Sequence, residues 1–580
     1  MSGGTYRRRL SRPSPFFAGM LTGVLLCLSL GGGATTLLLL AHPRLASRLD
    51  ALLFPPASQV IPIGDLSDVA VVIDGSAKGR SISPFIYGVD AADPATLVAL
   101  GATVNRWGGN SSTSYNWVIG HAWNAGRDWE FRNGNYGRSG LYWDHFVGAT
   151  LNAGGIPLIT IPSIGFVARN DNNQTRSVGV PPHGGPPASP GSDATVGYDP
   201  TANRLATSVE SLPSDPNLLS IPPSPKAGVV YQDQWVYDLV QKYGAAPRGV
   251  RFFTIDNEPD LWAETHTDVH PTQMSYEDML TNYEEYAIAV KKQDPNAVLL
   301  GPDVSGWTSY FYSALDRGPD NYATHADRTA HDGTPFLQWW LAKVAAADRQ
   351  RGLRSLDMLD VHFYPQAVGV YSGQHDAATQ ALRIRSVRAL YDPTYRDESW
   401  IATDVDLIPR LKQWIAQSYP GTGLAITEYN WGGEHDASGA VALAESLGVF
   451  GREGVDLATY WTYPPPNSPA GGAFRLFRNF DGRGGTFGDI SIPVTVNQHG
   501  VAAFAARHSN SGETDVVLVN ESPNQVATVH LALKGVTGST ATLYQMRGGS
   551  ATIVPSPLTS IGESIQLPPY SISLVKVTDG

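Results

Sequence analysis

The chain of 580 residues contains a single cysteine, Cys27. A lone cysteine excludes a disulfide framework within the chain, and it excludes a zinc site built from several cysteines. Leu26 precedes it, at the position where lipoprotein processing requires a small residue. We therefore do not interpret Cys27 as a lipidated residue.

Positive charge is also scarce, since the net charge is −12 and no basic cluster occurs beyond the N-terminus. That field repels polyphosphates, so we expect no nucleic-acid partner. The hydrophobic content of 42% and the charged content of 16% are typical of a globular protein. The 14 Trp and 25 Tyr would suit either core packing or a sugar-binding cleft with flat aromatic faces.

Charged residues are absent from residues 16–41, a run of 26 residues that follows residues 7–9 (Arg-Arg-Arg) and Arg12. A bilayer needs roughly 20 apolar residues, and the positive flank predicts a cytoplasmic N-terminus with an exported remainder. The apolar core of a cleaved signal peptide is shorter, about 7–15 residues. The length therefore favours an uncleaved membrane anchor, whereas a break at residues 31–33 (Gly-Gly-Gly) would allow a cleaved, secreted form.

Beyond this segment the chain is too long for one ordinary core, and apolar strands alternate with amphipathic helices. Eight strands are predicted, the number that closes a parallel (β/α) barrel. They are Phe85–Val89, Thr103–Trp107, Ile156–Pro162, Val250–Asp256, Ala297–Asp303, Met358–Tyr364, Leu424–Tyr429 and Leu457–Tyr463. Helices with apolar residues at 3–4 spacing are predicted at Val229–Tyr243, Tyr276–Lys292, Pro335–Arg349, Ile408–Tyr419 and Ala437–Gly451.

Residues 170–227 do not fit this alternation, because they are rich in Pro, Gly, Ser and Asn and have no strong periodicity. A long irregular loop in a compact domain is usually functional or disordered. It would follow the third strand, on the barrel face where active sites form.

After about residue 485 the pattern changes to short alternating runs separated by turns, as in a β-sandwich. The early run VAVVID, residues 69–74, has the same character, so we expect it to join the C-terminal sheet. The predicted organisation has four parts. They are a basic tail, transmembrane signal-anchor and linker (1–60), a strand segment joining the sandwich (61–84), the barrel (85–484) and the β-sandwich domain (485–580).

Two glutamates follow predicted barrel strands, Glu258 just after the fourth and Glu428 at the end of the seventh. The carboxyl ends of barrel strands converge on one opening, and two carboxylates facing each other there can cleave a glycosidic bond. Either motif alone is weak, because Pro259 could simply end a strand. Glu258 could also form a structural ion pair with a buried Arg such as Arg106.

Other strand ends supply candidate substrate-binding residues. The second ends with Arg106, Trp107 and Asn110, and Arg106 could hold a nucleophile ionised by charge pairing. An Arg at a strand end is more often a plain ion pair. The sixth and eighth strands end with four further candidates: His362, Tyr364, Trp461 and Tyr463. Taken singly, His362 is a core histidine, and the aromatics suit barrel packing as well as stacking on a sugar.

Four runs, in this order, resemble glycoside hydrolase family 44: NRWGGNSSTSYNW, TIDNEPDLWAETHTDVHP, LDVHFYP and ITEYNWGG. The resemblance covers roughly residues 65–578. It implies a TIM-like barrel with a β-sandwich domain, and a retaining endo-β-1,4-glucanase, in many members active on xyloglucan.

The resemblance implies that Glu258 is the acid/base and Glu428 the nucleophile. Asn257, Tyr429 and Trp431, within the same motifs, join the candidate substrate-binding residues. Retention predicts that the two carboxyl groups lie about 5–5.5 Å apart.

No cofactor is expected for catalysis, although the resemblance implies a structural calcium ion whose ligands the sequence does not identify. The run RNDNNQ, residues 169–174, is a candidate that could equally be a solvated loop. The expected partners are a polysaccharide substrate and, through the N-terminal segment, a membrane. We expect a monomer.

Two alternatives stay open at this point. The same barrel and glutamates could act on another β-1,4-polysaccharide, xylan or mannan. The chain could also be a glycan-binding surface protein with an inactive barrel, since a fold alone does not establish a function. Hydrolysis assays on soluble glucans, xyloglucan, xylan and mannan would separate these possibilities.

Overall fold

The computed structural model describes most of the chain after residue 60. The described residues are 61–129, 131, 133–171, 198–199, 204–205, 208–216, 228–536, 538–560 and 562–578. Within these ranges no helix is both long enough and apolar enough to cross a bilayer. The predicted anchor at residues 16–41, and most of the irregular segment at 170–227, lie outside the described residues.

Eight parallel strands form a closed barrel and follow one another around it in chain order. Their bounds are Gly88–Asp90, Val104–Trp107, Ile156–Ile161, Phe252–Ile255, Val298–Val304, Met358–Phe363, Gly423–Tyr429 and Leu457–Tyr460. Each lies within a few residues of its predicted position. The barrel expected from the sequence is therefore confirmed.

Helices follow the barrel strands and cover the outside of the barrel. Their bounds are Pro94–Leu100, Tyr142–Asn152, Gln232–Tyr243, Trp262–Thr265, Tyr276–Gln293, Trp307–Phe311, Ala314–Arg317, Ala326–Ala330, Phe336–Arg351, Ala377–Arg385, Leu407–Ser418, Ala437–Glu453 and Pro469–Arg478. The five predicted helices are all among them. Tyr276–Gln293 begins with a reciprocal capping box, in which the Ser275 and Asp278 side chains each accept a hydrogen bond from the other's backbone N–H.

The barrel interior has an apolar layer near the amino ends of its strands. Six side chains pack there: Val104, Leu158, Phe252, Leu300, Ala425 and Leu457. Successive side chains of a strand point to opposite faces, so residues two positions further along also point inward. Five of these six are polar and buried, namely Arg106, Thr160, Thr254, Thr427 and Thr459, and the sixth is Pro302. The interior thus changes from apolar to charged towards the carboxyl ends of the strands.

The second structural unit is a β-sandwich. Its smaller sheet contains, in order, Val494–Val496, Val69–Asp74, Ala527–Lys534 and Ile565–Leu567. Its larger sheet contains Arg80–Ser81, Ile490–Ile492, Val501–Arg507, Thr514–Asn520, Ile572–Thr578, Thr540–Met546 and Ile553–Leu558. The strand Val69–Asp74 pairs parallel with Ala527–Lys534 and antiparallel with Val494–Val496. Both ends of the described chain therefore contribute to the sandwich.

Short strands outside these sheets lie in the connecting loops. They are Trp123–Asn124, Asn133–Gly134, Phe166–Ala168, Tyr198–Asp199, Arg204–Leu205, Ser211–Asp215 and Val230–Tyr231. Phe166–Ala168 pairs with Ser211–Asp215, which in turn pairs with Val230–Tyr231. The loop after the third barrel strand thus carries a small sheet of its own.

The strand Thr514–Asn520 joins the sandwich to the barrel, because it is buried on both faces. Val516 and Leu518 lie in the sandwich core, whereas Val517 and Val519 belong to the hydrophobic core of the barrel and its helices. This explains why TDVVLVN lacks the polar alternation of a strand with one solvated face.

Substitution of Phe504 tests this interface between the sandwich and the barrel. Its ring packs so closely on the barrel helix Ala437–Glu453 that a Cβ atom at Gly448 would lie 2.4 Å from it. We expect Phe504→Ala to lower the free energy of unfolding by about 3–5 kcal/mol, through lost burial and an interfacial cavity. Chemical denaturation measures this change. The control Val554→Ala, at a residue 57% exposed on the sandwich, should change it by less than about 0.5 kcal/mol. Equal effects of the two variants would contradict a packed interface.

Candidate active site

Glu258 and Glu428 come together at the carboxyl ends of the fourth and seventh barrel strands. A carboxylate oxygen of Glu258, one of Glu428 and a ring nitrogen of His362 all lie within 4.8 Å of one another. Retaining glycosidases hold their two carboxyl groups about 5–5.5 Å apart, and inverting ones hold them about 6.5–9.5 Å apart. A nearest oxygen distance below 4.8 Å is compatible with the retaining spacing.

A sharp turn after the fourth strand directs Glu258 into the opening. Asp256 and Glu258 both have left-handed backbone angles, with φ of 61° and 46°. Such angles are costly for residues other than glycine and persist where surrounding contacts hold them. The Glu258 N–H donates to the carbonyl oxygen of Asp303 at 3.0 Å. The buried carboxylate of Asp256 accepts hydrogen bonds from the Thr113 hydroxyl at 2.7 Å and the Ser163 N–H at 2.5 Å.

Arg106 is a fully buried guanidinium at the centre of the site. Its Nη1 donates to Glu428 Oε1 at 2.7 Å, and Asp90 Oδ2 lies 3.4 Å from the same nitrogen. Its Nη2 donates to Asn257 Oδ1 at 2.8 Å and lies 3.4 Å from Asp303 Oδ2. Arg106 therefore pairs with Glu428 and not with Glu258, so the structural pair considered for Glu258 is not formed.

The glycine at 108 makes room for this guanidinium. A Cβ atom there would lie 2.2 Å from Cζ of Arg106, which no side chain could tolerate without displacing the guanidinium. The run RWGG thus combines the buried cation with the space that it requires.

His362 lies between the two glutamates, with the same ring nitrogen close to both. A register shift between the sixth and seventh strands puts His362 opposite Glu428. Its Nδ1 lies 2.9 Å from Glu258 Oε1 and 3.6 Å from Glu428 Oε2, and its Nε2 contacts Asp303 Oδ1. Burial alone would lower the pKa of His362, but the negative charges of Glu428 and Asp303 raise it well above its usual value. His362 is therefore a protonated imidazolium that donates from both nitrogens.

The surrounding carboxyl groups divide into charged and neutral ones. Burial raises the pKa of Asp90 and of Asp360 to about 8, so both hold a proton near neutral pH. Burial would also raise the pKa of Asp303, but the charges of His362 and Arg106 hold it below its usual value. Two buried cations are thus matched by the carboxylates of Asp303 and Glu428.

Glu258 and Glu428 differ in their surroundings. Burial, opposed by the hydrogen bond and charge of His362 and assisted by the charge of Glu428, raises the pKa of Glu258 to about 7. The Glu258 side chain is 22% exposed, compared with 7% for Glu428. Both Glu428 oxygens accept hydrogen bonds, Oε1 from Arg106 and Oε2 from the Tyr364 hydroxyl at 2.8 Å. The first carboxyl group is therefore suited to hold a proton, whereas the second is hydrogen-bonded at both oxygens.

Three predicted substrate-binding aromatics lie in the core instead. Trp107 packs against five aromatic rings outside the barrel wall, and its predicted contact with substrate is corrected. Tyr429 is fully buried against Phe450 and Tyr460. Trp431 is buried and donates from Nε1 to Ser386. Trp107 follows the inward-pointing Arg106, so strand alternation turns it outward.

The remaining candidates stay near the opening. Asn257 accepts hydrogen bonds through Oδ1 from Arg106 and from the Gly109 N–H. Trp461 and Tyr463 are half-buried, and the Trp461 indole lies directly over Gly109. Asn110 instead connects loops, because its amide nitrogen donates to Asp128 and its oxygen lies 2.7 Å from Nε2 of His266.

The sequence reasoning missed Asp90, Asp303 and Asp360. Each is a single acidic residue inside or directly after an apolar barrel strand. That position could have identified them, because a lone buried carboxyl group requires hydrogen bonds or an opposite charge.

Two groups of residues are candidates for binding a metal ion. The group of Glu258, His362 and Glu428 has the spacing of a metal site. The same group contains the two facing carboxyl groups, and both Glu428 oxygens already accept hydrogen bonds, so we interpret it as the reactive centre. The candidate calcium segment at 169–174 lies partly outside the described residues, and within it Asn170 is hydrogen-bonded to Asn133 and Glu210. The calcium ion stays a prediction.

Comparison with known proteins identifies relatives of the whole described region. Residues 122–367 match the model of glycoside hydrolase family 44. The chain is 32% identical over 485 residues to endoglucanase A of Paenibacillus lautus, which covers 78% of this chain and 64% of that protein. The chain therefore spans just under two thirds of that curated relative.

Solved structures are similar over nearly their full length. A bifunctional glucanase-xylanase from a metagenome library is 33% identical, with a TM-score of 0.77, covering 88% of this chain and 99% of that one. A family 44 xyloglucanase of Paenibacillus polymyxa, solved with xyloglucan, is 27% identical, with a TM-score of 0.76, covering 89% and 100%.

The coupling between the two glutamates can be tested by titration. Glu428→Gln removes a negative charge beside Glu258, so the pKa of Glu258 should fall from about 7. It should remain above the usual value of about 4.3, because burial persists. NMR titration of ¹³C-labelled glutamate carboxyl groups, assigned with Glu258→Gln, measures the shift. An unchanged or higher pKa would mean that burial alone holds the proton.

Proposed function

The chain belongs to glycoside hydrolase family 44, and we propose that it is a retaining endo-acting hydrolase of β-1,4-glucans, including xyloglucan. The observation that carries this proposal is the pair of carboxyl groups of Glu258 and Glu428, with oxygens within 4.8 Å at the mouth of the barrel. The substrate class is supported by the endoglucanase and xyloglucanase activities named for similar proteins.

The first step uses each glutamate once. The Glu428 carboxylate attacks the anomeric carbon and forms a glycosyl ester, while the bond to the leaving oxygen breaks. Glu258 gives its proton to that oxygen, so the shortened chain leaves as an alcohol.

The second step reverses these roles. Glu258, now ionised, takes a proton from a water molecule, whose oxygen attacks the anomeric carbon and releases Glu428. Two displacements at one carbon retain its configuration.

Neighbouring side chains prepare both groups for this cycle. Arg106 and Tyr364 donate to the two oxygens of Glu428, which orients the nucleophile and balances its charge. His362 donates to Glu258 Oε1, which fixes the direction of the acid/base while its other nitrogen is held by Asp303. Arg106, Tyr364 and His362 are therefore positioning residues.

Xylan hydrolysis is the second candidate activity, since one similar structure is described as a bifunctional glucanase-xylanase. Mannan remains an alternative from the sequence. A glycan-binding protein with an inactive barrel is disfavoured, because both glutamates are present, face each other and are hydrogen-bonded by Arg106 and His362. Hydrolysis rates on soluble β-1,4-glucan, xyloglucan, xylan and mannan would test the proposal, and no hydrolysis of any of them would overturn it.

We further propose that the enzyme is exported as a monomer and acts outside the cell. The support is the charge-free run at residues 16–41 behind an arginine-rich flank. An intact segment would anchor the enzyme in the membrane, and a cleaved one would release it. A structural calcium ion remains part of this proposal through the family alone.

The two roles predict different losses. Glu258→Ala should reduce hydrolysis of a soluble glucan by about 10²–10⁴-fold, but spare aryl glycosides whose leaving groups depart without a proton. Azide should accelerate the second step of this variant, because it replaces the water that needs a base. Glu428→Ala should be inactive on both substrates. Equal behaviour of the two variants on aryl glycosides would refute the division of roles.

The pH profile should report Glu258. Because the acid must carry a proton and its pKa is raised to about 7, kcat/KM on glucan should fall as the pH rises through about 7. Below that pH the group stays protonated. The matched control is Glu258→Ala assayed on an activated aryl glycoside, which should lose this alkaline limb. A limb that persists in the variant would assign the titration to another group.

A further inference from the structure

The loop at residues 369–374, after the sixth barrel strand, brings an exposed aromatic ring beside the nucleophile. Tyr371 is 37% exposed, although it lies near a buried site. Its ring lies 5.0 Å from that of Tyr364, at an angle of 53°. Tyr364 in turn donates its hydroxyl to Glu428 Oε2 at 2.8 Å. One tyrosine thus separates the Tyr371 ring from the attacking carboxylate.

A buried arginine, Arg383, holds this loop through hydrogen bonds to its backbone. Arg383 is fully buried, and its Nη2 donates to the carbonyl oxygens of Ser372 at 3.1 Å and Gln374 at 2.8 Å. Its Nε donates to the carbonyl oxygens of Val370 and Trp431, both at 3.1 Å. The guanidinium therefore ties the loop on both sides of Tyr371 to the segment that follows Glu428.

The glycine pair at 432 and 433 permits this close approach. The Gly433 N–H donates to the carbonyl oxygen of Ser372 at 2.8 Å. A Cβ atom at Gly432 would lie 2.5 Å from the backbone nitrogen of Ser372, and the positive φ of 70° also favours glycine. The NWGG run after the nucleophile is thus shaped to receive the loop.

We propose that Tyr371 is a stacking surface for a sugar unit next to the scissile bond, and that Arg383 is the residue that positions it. An aromatic ring that packs on one neighbour and stays partly exposed beside the nucleophile offers a flat apolar surface, which sugar C–H faces contact favourably. Arg383 holds the ring near Glu428, because it donates to five backbone carbonyl oxygens, those of Gly369, Val370, Ser372, Gln374 and Trp431. It also donates to the Ser438 hydroxyl. This inference rests on the proposed function.

Substitutions can separate the contribution of the Tyr371 ring to binding from that of its hydroxyl. In the Glu428→Gln background, which cannot turn over, calorimetry with a β-1,4-linked glucose tetrasaccharide measures Kd directly. Tyr371→Ala should raise Kd about tenfold, whereas Tyr371→Phe, which keeps the ring, should stay within about twofold of its parent. In the active enzyme, Tyr371→Ala should raise KM more than it lowers kcat. The exposed sandwich variant Val554→Ala should change neither value.

The positioning role of Arg383 is tested by a double-mutant cycle. Arg383→Lys keeps the positive charge but loses the several N–H donors of the planar guanidinium. It should raise Kd about as much as Tyr371→Ala. The double variant should be no worse than either single one, because both remove the same contact. Gly432→Ala, which pushes on the loop without touching Arg383, should give the same non-additivity and replaces Arg383→Lys if that variant does not fold.

Each outcome is decisive. An unchanged Kd for Tyr371→Ala in an enzyme that cleaves glucan would overturn the stacking role and leave the proposed function intact. A Tyr371→Phe defect equal to that of Tyr371→Ala would assign the contact to the hydroxyl and overturn stacking. Additive effects in the double-mutant cycle would overturn the positioning role of Arg383. An enzyme that neither binds nor cleaves any β-1,4-glucan would overturn the proposed function and this inference together.

Discussion

The buried guanidinium of Arg106 is the constraint on which the site depends. Moving a charge out of water is costly unless it is paired and hydrogen-bonded, and removing one partner of such a pair typically costs about 3–5 kcal/mol. Here the positive charge meets Glu428 at 2.7 Å and Asp303 at 3.4 Å. These acids come from the seventh and fifth strands, so the barrel must close in one register for the charge to be satisfied.

The same constraint separates the two catalytic carboxyl groups. Arg106 and Tyr364 together use both oxygens of Glu428, so this group is stabilised as an anion. Glu258 forms no ion pair with Arg106, and its carboxyl group instead contacts the imidazole of His362, whose other nitrogen is paired with Asp303. Burial then dominates its titration and keeps its proton near neutral pH. Two identical side chains acquire opposite roles because one cation lies closer to one of them.

The sequence was sufficient to predict the barrel and the meeting of Glu258 and Glu428 at its opening, because topology alone brings the carboxyl ends of eight strands together. It was insufficient for side chains whose direction depends on one residue of register. Trp107 points away from the site although it is adjacent to Arg106, and His362 faces Glu428 only through a register shift. Nor could composition indicate that Asp90 is neutral, since its pKa of about 8 is a property of burial.

The β-sandwich also bears on the charges around Arg106. It flanks the place where the eighth and first strands pair and close the barrel. The eighth and first strands pair through Thr459 with Gly88 and Tyr460 with Val89, and just beyond them the Asp90 N–H donates to the carbonyl oxygen of Thr462. Asp90, next along that first strand, lies 3.4 Å from Arg106.

Segments on either side of this pairing are held by the sandwich. The strand Arg80–Ser81, just before the first barrel strand, belongs to the larger sheet, as does Ile490–Ile492 after the last barrel helix. The Ser83 hydroxyl also donates to the carbonyl oxygen of Asp456, at 2.6 Å, immediately before the eighth strand. A sheet built from both ends of the described chain therefore restrains the segments that flank the pairing of the eighth and first barrel strands. Because the first strand also carries Asp90 to within 3.4 Å of Arg106, we expect the sandwich to help hold that contact.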